Sequence, residues 1–242
     1  MATNIVKTAW DIAPSSDGKR WSAWPAGDKP SSDVYTTTFP TTQAPLNDAV
    51  ITIGTQQDGS GTGGPDATGG SPGFIIAPTV DKDHFGFVVG RVSTTKHYSE
   101  VVIKRTGGAT PDSHEVEVHV GGNVSPTSVT SYEVNLWGTN VTAQPVRWED
   151  PLGGFNTGVF TTISNTFDGG TALVDGDVVR VEFDSTSGSP IITMKVNGIT
   201  KAQWTDTSAG KILAGSPGFA MFRRTGTTAA NYCIKTFSCG SF

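Results

Sequence analysis

Apolar and polar residues alternate with a period of two along several stretches of the chain, most clearly between residues 177 and 206. In VRVEF (179–183), valine and phenylalanine occupy every second position and charged residues lie between them. This alternation is typical of a β-strand with one buried and one solvated face. Asn197-Gly198 then supplies the two positive-φ positions of a type I′ turn. The stretch therefore predicts an antiparallel meander that contains a two-residue hairpin.

Short segments of this kind recur after Gly73, and turn residues separate them. No window of ten or more residues shows the 3.6-residue apolar period of a helix, and no equal-period repeat indicates a propeller or β-helix. The 30 glycines and 14 prolines stand against five leucines, which favours strands and turns over helices. We predict an all-β, two-sheet antiparallel sandwich. Its strand candidates outside the meander are FIIAP, HFGFVVGRV, YSEVVIKRT, HEVEVHVGG, SYEVNLWG, VRWE, FTTISNTF, PGFAMFRR and NYCIKTFS.

The composition divides the chain into three zones within one predicted domain. Residues 1–48 show little alternation and predict an irregular N-terminal arm that packs on the same domain. The remainder, 49–242, is predicted to form the sandwich. Within it, residues 54–73 contain eight glycines and predict a flexible loop.

Charge, apolar stretches and cysteines limit the partners and the cellular route that we expect for the chain. The net charge of −5 and the lack of a Lys/Arg run argue against nucleic-acid binding, which needs a clustered basic surface. No apolar stretch reaches the ~20 residues that span a bilayer. The start, MATNIVKTAWDIAPSS, lacks a signal-peptide core, so we expect no general secretion route. Cys233 and Cys239 are expected to be buried and reduced.

A family resemblance is carried by HFGFVVGRV, YSEVVIKR, DGDVVRVEF, IITMKVNG, AQWTDT and GSPGFAMF, in this order between about residues 83 and 222. The region resembles the concanavalin A-like, laminin-G-like jelly roll. The resemblance implies two curved antiparallel sheets whose concave face or rim loops often bind glycans. The same fold serves lectins, carbohydrate-binding modules, glycan hydrolases and lyases, and virion proteins, so the fold alone does not give the function.

Glycoside hydrolysis needs two carboxyl groups about 5–9.5 Å apart across the scissile bond. Hydrolases on this fold place them at alternate positions of one strand, and here Glu115 and Glu117 share a face that His119 extends. The resembling pattern has an Asp between its acids and an aromatic platform, whereas this chain has Val116 between them. We expect a solvated strand face and no catalytic residues.

Lyases on this fold use an Arg, a His paired with Gln or Asn, and a Tyr base, which invites a comparison with Arg91, His97 and Tyr98. Neighbouring residues of a strand point to opposite faces, so His97 and Tyr98 cannot share a site. Asp81 and Asp83 could contribute oxygen ligands to Ca²⁺, but turn aspartates more often cap their own backbone. We therefore expect no resident metal and no cofactor.

Aromatic side chains remain as candidates for ligand binding, because sugars stack on Trp and Tyr. Trp137 shares the polar parity of its strand with Glu133 and Asn135, so it either forms a binding surface or packs under the N-terminal arm. Trp148 has apolar parity and is expected in the core, and Trp204 is expected at the rim. The candidate ligand- or partner-binding residues are Trp137, Asn135, Glu133, Arg91 and Tyr98.

These observations favour a non-enzymatic jelly-roll protein of a surface assembly. A phage virion component, such as a capsid decoration protein, a fibre or a tail appendage, fits best, with capsid or tail proteins as partners, homo-oligomerisation and possible glycan adhesion. The alternatives are an extracellular lectin or carbohydrate-binding module, and a polysaccharide hydrolase or lyase.

Overall fold

The computed structural model describes residues 35–37, 42–43, 51–55, 66–68, 74–78, 81, 83–90, 92–106, 114–125, 128–137, 142–151, 159–163, 167–168, 173–228 and 231–242. Seventeen strands lie in these ranges. They are β1 (Tyr35–Thr37), β2 (Thr42–Gln43), β3 (Ile51–Thr55), β4 (Asp66–Thr68), β5 (Ile75–Ile76), β6 (His84–Val88), β7 (Lys96–Arg105), β8 (His114–Ser125), β9 (Ser128–Trp137), β10 (Thr142–Pro151), β11 (Val159–Thr162), β12 (Phe167–Asp168), β13 (Val178–Asp184), β14 (Ile191–Val196), β15 (Ile199–Thr205), β16 (Ser216–Arg223) and β17 (Tyr232–Ser241).

The strands form two antiparallel sheets. Sheet A has the order β15-β14-β13-β7-β17-β5-β4-β2, and β1 also pairs with β17. Sheet B has the order β11-β10-β9-β8-β16-β6-β3, and β12 also pairs with β10. The described residues contain no α-helix, and no helix among them is long and apolar enough to cross a membrane. The predicted all-β, two-sheet sandwich is confirmed.

The meander that the sequence predicts is present in sheet A. Along β13, Val179, Val181 and Phe183 are fully buried, while the charged residues between them are partly exposed. Asn197 and Gly198 have φ angles of 50° and 79°, as the type I′ hairpin requires. The two-residue period is therefore confirmed in detail.

The main core lies between the sheets. Sheet A contributes the apolar face of its meander together with β7 and β17, and sheet B contributes Val116, Val118 and Val120 of β8. Cys233 and Cys239 of β17 are also buried here and are not joined in a disulfide bond, as expected. Trp204 was expected at the rim but packs into this core, because its strand pairs with β14 opposite Ile192.

A second apolar cluster covers the other face of sheet B. It includes Phe85, Phe87 and Trp148, each fully buried. The alternating positions of β6 and β10 direct these side chains away from the main core. Sheet B is thus buried on both faces over part of its area, which a simple sandwich pattern does not predict.

Much of the predicted N-terminal arm, 1–48, lies outside the described residues. Within it, β1 pairs with β17 and β2 pairs with β4. The predicted loop 54–73 contains β4, which also pairs with β5, and most of its other positions lie outside the described residues.

Candidate functional site

The polar residues of β8 lie on the face of sheet B that is turned away from the main core. Glu117 and His119 are 1% and 0% exposed, so the expected solvated strand face is wrong. The physical reason is the second apolar cluster. The His119 ring packs edge-on against Trp148, with centroids 4.5 Å apart, and against Phe87 at 5.4 Å. Aromatic side chains from two other strands therefore cover the polar groups.

Strand register gathers further polar side chains around Glu117 and His119. On the neighbouring strand β9, Asn135 lies opposite Glu117 and Glu133 lies opposite His119. A cleft of about 230 Å³, the acidic cleft, is lined by Glu117, Glu133 and Asn135 together with residues of β8, β10 and β16 and of the segments before β6 and after β16. Its lining residues are Asp83, Glu115, Glu117, Glu133, Asn135, Gln144, Val146, Phe222 and Arg224.

Glu117 and Glu133, which line the acidic cleft, form a buried triad with His119, and this triad is called the floor of the cleft. One donor atom from each residue lies within 4.8 Å of the other two. His119 Nε2 is 3.1 Å from Glu117 Oε2, and its Nδ1 is 2.8 Å from Ser131 Oγ. The Trp148 indole N–H donates to Glu133 Oε2. Each triad member therefore has a hydrogen-bond partner, either on its own strand or on a neighbouring strand.

Burial controls the ionisation of the triad. It raises the pKa of the Glu117 carboxyl well above the usual value, and the nearby Glu133, Asp83 and Glu115 carboxyls raise it further. Burial likewise raises the pKa of Glu133, with added repulsion from Asp83 and Glu115. Burial lowers the pKa of His119 to about 3, so the imidazole is neutral at physiological pH. The floor favours uncharged groups.

Asn135 joins the floor to the rim of the cleft. It is 9% exposed, and its Nδ2 donates to Glu115 Oε2 at 2.5 Å. The side chain also hydrogen bonds to Glu133. Its Oδ1 is buried without a hydrogen-bond partner. A buried acceptor in this state costs roughly 1–3 kcal/mol, so the position favours a ligand that supplies a donor or a positive charge.

The structure brings together only part of the candidate binding set. Glu133 and Asn135 line the acidic cleft. Trp137 lies on β9 opposite Glu115, but its side chain is outside the described part of the chain, and Arg91 is outside it altogether. Tyr98 lies on the outer face of sheet A, where the Arg180 guanidinium stacks 3.5 Å above the centre of its ring.

Several residues of the cleft were not among those candidates. Trp148 is buried as predicted, but beside Glu133 and outside the main core. Asp83 is 6% exposed and its carboxyl hydrogen bonds to Glu117, whereas the Asp81 carboxylate accepts from the Thr225 hydroxyl. The two aspartates therefore do not form a common site. Shared parity along β8 was the sequence signal for Glu117, but no local pattern indicated which strands would flank it.

No family model and no curated protein matches the chain. Among solved structures it is similar to a glycoside hydrolase family 16 endo-glucanase from Bacteroides ovatus, with a TM-score of 0.50 and 11% identity over 84% of this chain and 98% of that one. For the potassium-bound carbohydrate recognition domain of Emp46p, the TM-score is 0.49 and the identity 8%, and the match covers 84% of this chain and 97% of that one. For the carbohydrate-binding module CBM66 from Bacillus subtilis, the TM-score is 0.40 and the identity 10%, and the match covers 69% of this chain and 89% of that one.

At such low identities the likeness concerns the fold, and the function must be argued from the site. The antiparallel sheet pairing and the similarity to the endo-glucanase agree with the resemblance seen in the sequence. The chain has the concanavalin A-like jelly-roll fold.

Proposed function

We propose that this chain is a non-catalytic glycan-binding domain and that the acidic cleft receives a sugar residue. The observation that carries the proposal is the lining of the cleft, where carboxyl, amide and guanidinium groups surround an apolar surface on a sheet face. Sugars require this combination, because their hydroxyls need hydrogen-bond partners while their C–H faces need apolar contact. The fold shared with a glycan-hydrolysing enzyme supports the same class of ligand.

The partly exposed lining residues supply the proposed contacts. Glu115 and Gln144 offer hydrogen-bonding groups on adjacent sides of Asn135, and Phe222 offers an aromatic ring. The Arg224 guanidinium lies 5.3 Å from the centre of that ring. A cleft of about 230 Å³ is smaller than the ~300–1,000 Å³ typical of pockets for drug-sized ligands. One sugar residue or a chain end is therefore the expected occupant.

The ionisation of the floor supports binding without bond cleavage. A glycosidase needs one carboxylate and one carboxylic acid at the scissile bond. Here burial raises the pKa of both Glu117 and Glu133, which favours the protonated form of each over the carboxylate. Both side chains are also at most 3% exposed and already hydrogen bonded within the sheet.

The charge of the cleft selects among glycans. Even with Glu117 and Glu133 uncharged, the Asp83 and Glu115 carboxyls outnumber the Arg224 guanidinium, so a glycan that carries carboxylates would be repelled. We expect neutral oligosaccharides to bind, and oligogalacturonate of the same length to bind at least tenfold more weakly.

Calorimetric titration with gluco-oligosaccharides tests the proposal, with the full chain and three variants. Glu115→Gln and Phe222→Ala should each weaken binding about tenfold or more. Glu182→Gln on the outer face of sheet A is the matched control and should leave affinity unchanged. The proposal fails if no neutral glycan saturates the protein, or if the cleft variants bind as tightly as the control.

A polysaccharide hydrolase is the second candidate, and one distance favours it. Carboxyl oxygens of Glu117 and Glu133 lie within 4.8 Å of each other, close to the ~5–5.5 Å of retaining enzymes. Release of reducing ends from a polysaccharide panel, lost in both Glu117→Gln and Glu133→Gln, would establish this function. Binding without product release supports the non-catalytic proposal.

We also propose a more specific role, in which the domain acts as an attachment protein on a phage particle, as a capsid decoration protein, fibre or tail appendage. What supports it is the Gly- and Thr-rich, leucine-poor composition of a strand-and-turn protein. Native mass measurement should show a homo-oligomer, and purified particles should contain the chain in a fixed ratio to the capsid protein. A monomer that is absent from particles would leave only the free-standing binding module.

A further inference from the structure

We propose that the floor of the acidic cleft is a binding site for one divalent transition-metal cation, such as Zn²⁺ or Mn²⁺, with Glu117, His119 and Glu133 as its ligands. This metal site is independent of the proposed glycan binding, because its ligands form the floor and the sugar contacts lie on the exposed residues above. The test titrates the protein with the metal ion itself.

The spacing of the donor atoms suits a single small ion. The three atoms all lie within 4.8 Å of one another. Metal–nitrogen and metal–oxygen bonds of ~2.0–2.2 Å place two ligands of one ion up to about 4.4 Å apart. Because three ligands of one ion lie about 3–4 Å from one another, side-chain movement of about 1 Å or less is enough to close the site. The mixture of one imidazole and two carboxylates favours a transition metal over Ca²⁺ or Mg²⁺, which take oxygen ligands.

A second observation points independently to a cation. Asn135 Oδ1 is buried without a hydrogen-bond partner, and Asn135 lines the same cleft as Glu117 and Glu133. The amide nitrogen of Asn135 is directed to the carboxyls of Glu115 and Glu133, so its oxygen has no donor within the acidic surroundings. A cation, or water bound to it, would satisfy this oxygen.

Neighbouring side chains hydrogen bond to the ligands and orient them, as they do in known metal sites. His119 Nδ1 lies 2.8 Å from Ser131 Oγ, a hydroxyl that can accept a ring N–H and leave Nε2 as the ligand atom. The Trp148 N–H donates to Glu133 Oε2 and orients that carboxyl. The Asp83 carboxyl, which hydrogen bonds to Glu117, adds negative charge beside the triad.

The charge around the triad also favours a cation. Four carboxyl groups converge on the cleft, and one guanidinium accompanies them. A divalent cation at the triad would attract these carboxyl groups and offset their mutual repulsion.

The experiment uses the full chain after dialysis against EDTA and then against metal-free buffer. Titration with Zn²⁺, Mn²⁺ and Ca²⁺ in separate calorimetric runs gives the affinity and the stoichiometry of each ion. The expected result is one Zn²⁺ or Mn²⁺ per chain, bound at least tenfold more tightly than Ca²⁺. Binding should also perturb indole fluorescence in wild type but much less in Trp148→Phe, because Trp148 contacts Glu133.

His119→Asn and Glu133→Gln should each weaken metal binding tenfold or more, and Glu182→Gln should not. X-ray absorption of the Zn²⁺-loaded wild type should show one imidazole among oxygen ligands, which tests the ligand set even if a variant does not fold. Failure to bind any of the ions, Ca²⁺ binding equal to Zn²⁺, a zinc shell without imidazole, or unchanged affinity in folded variants would each overturn the proposal. The saccharide titration repeated in EDTA separates this outcome from failure of the glycan proposal.

Discussion

The outer faces of the two sheets differ in how their charged side chains are arranged. On sheet A, opposite charges are paired at the surface. Glu182 lies 2.6 Å from Lys195 Nζ and 3.0 Å from Arg180 Nε, and Lys96 lies 2.9 Å from Asp184. On sheet B, carboxyl groups converge on a cleft whose floor is buried beneath aromatic side chains.

This difference is the one expected if the outer face of sheet A is solvated and the outer face of sheet B holds the proposed ligand site. Exposed ion pairs contribute roughly 0–1 kcal/mol and can be exchanged with little loss. Buried carboxyls of like charge lower stability, and such groups with a strongly shifted pKa concentrate at functional sites. We therefore expect substitutions on sheet B to change the free energy of unfolding more than substitutions on sheet A do. We also expect a Glu-to-Gln substitution to change it in opposite directions on the two sheets.

The largest expected effect is that of Trp148→Ala. The indole is fully buried and packs against His119 and Phe85, so its removal leaves a cavity beside the floor of the cleft. Such substitutions lower the free energy of unfolding by about 3–5 kcal/mol. Urea unfolding followed by circular dichroism measures the loss. Trp148→Phe keeps most of the apolar contact and should lose less, and equal stability of Trp148→Ala and wild type would contradict the buried second cluster.

The next effect is a pH-dependent gain in Glu117→Gln, measured in EDTA. Because burial raises the folded-state pKa of Glu117, its protonation stabilises the fold below the unfolded value of ~4.3 and this contribution is lost as pH rises. Glutamine resembles the protonated acid. The variant should therefore gain stability over wild type as pH rises above about 4.5, by up to ~1.4 kcal/mol per pH unit. A constant difference between pH 4 and 8 would show that Glu117 is already ionised.

A smaller effect, of the opposite sign, is expected for Glu182→Gln on sheet A. The change removes the carboxylate that Lys195 and Arg180 share, so the free energy of unfolding should fall by at most about 1 kcal/mol. Added salt should reduce the difference, because the pair is partly exposed. Thermal melts at low and high ionic strength provide the measurement, and a loss above about 2 kcal/mol would contradict a solvated outer face of sheet A.

The smallest effect concerns Asp184. Hydrogen bonds from Thr186 and the Lys96 ammonium hold the pKa of Asp184 at about 2. A depressed folded-state pKa adds stability above the unfolded value of ~3.9, and this stability is lost as pH falls towards 2. Asp184→Asn should therefore differ from wild type above about pH 4 and converge with it near pH 2. Acid titration of unfolding free energy tests this, and divergence of the two curves at low pH would refute it.

Local sequence patterns were sufficient for most strands after Gly73 and for the hairpin, but not for the short strands β1, β2 and β4. The alternation in 179–183 and the Asn197-Gly198 pair each depend on neighbouring residues along the chain, and the structure has the predicted burial and φ angles at both. The partners of each strand were not predictable in this way. Trp204 was misplaced because its burial depends on its pairing with β14.

The sequence by itself determined the two-residue period, the turns and the all-β class, since these follow from local backbone preference and side-chain polarity. Only the tertiary structure decided that Glu117 and His119 are buried and that Glu133, Asn135 and Asp83 join them. Polarity predicts exposure only when nothing covers the side chain. At β8 the cover comes from Phe87 and Trp148, which are brought to the site by sheet pairing with strands distant along the chain.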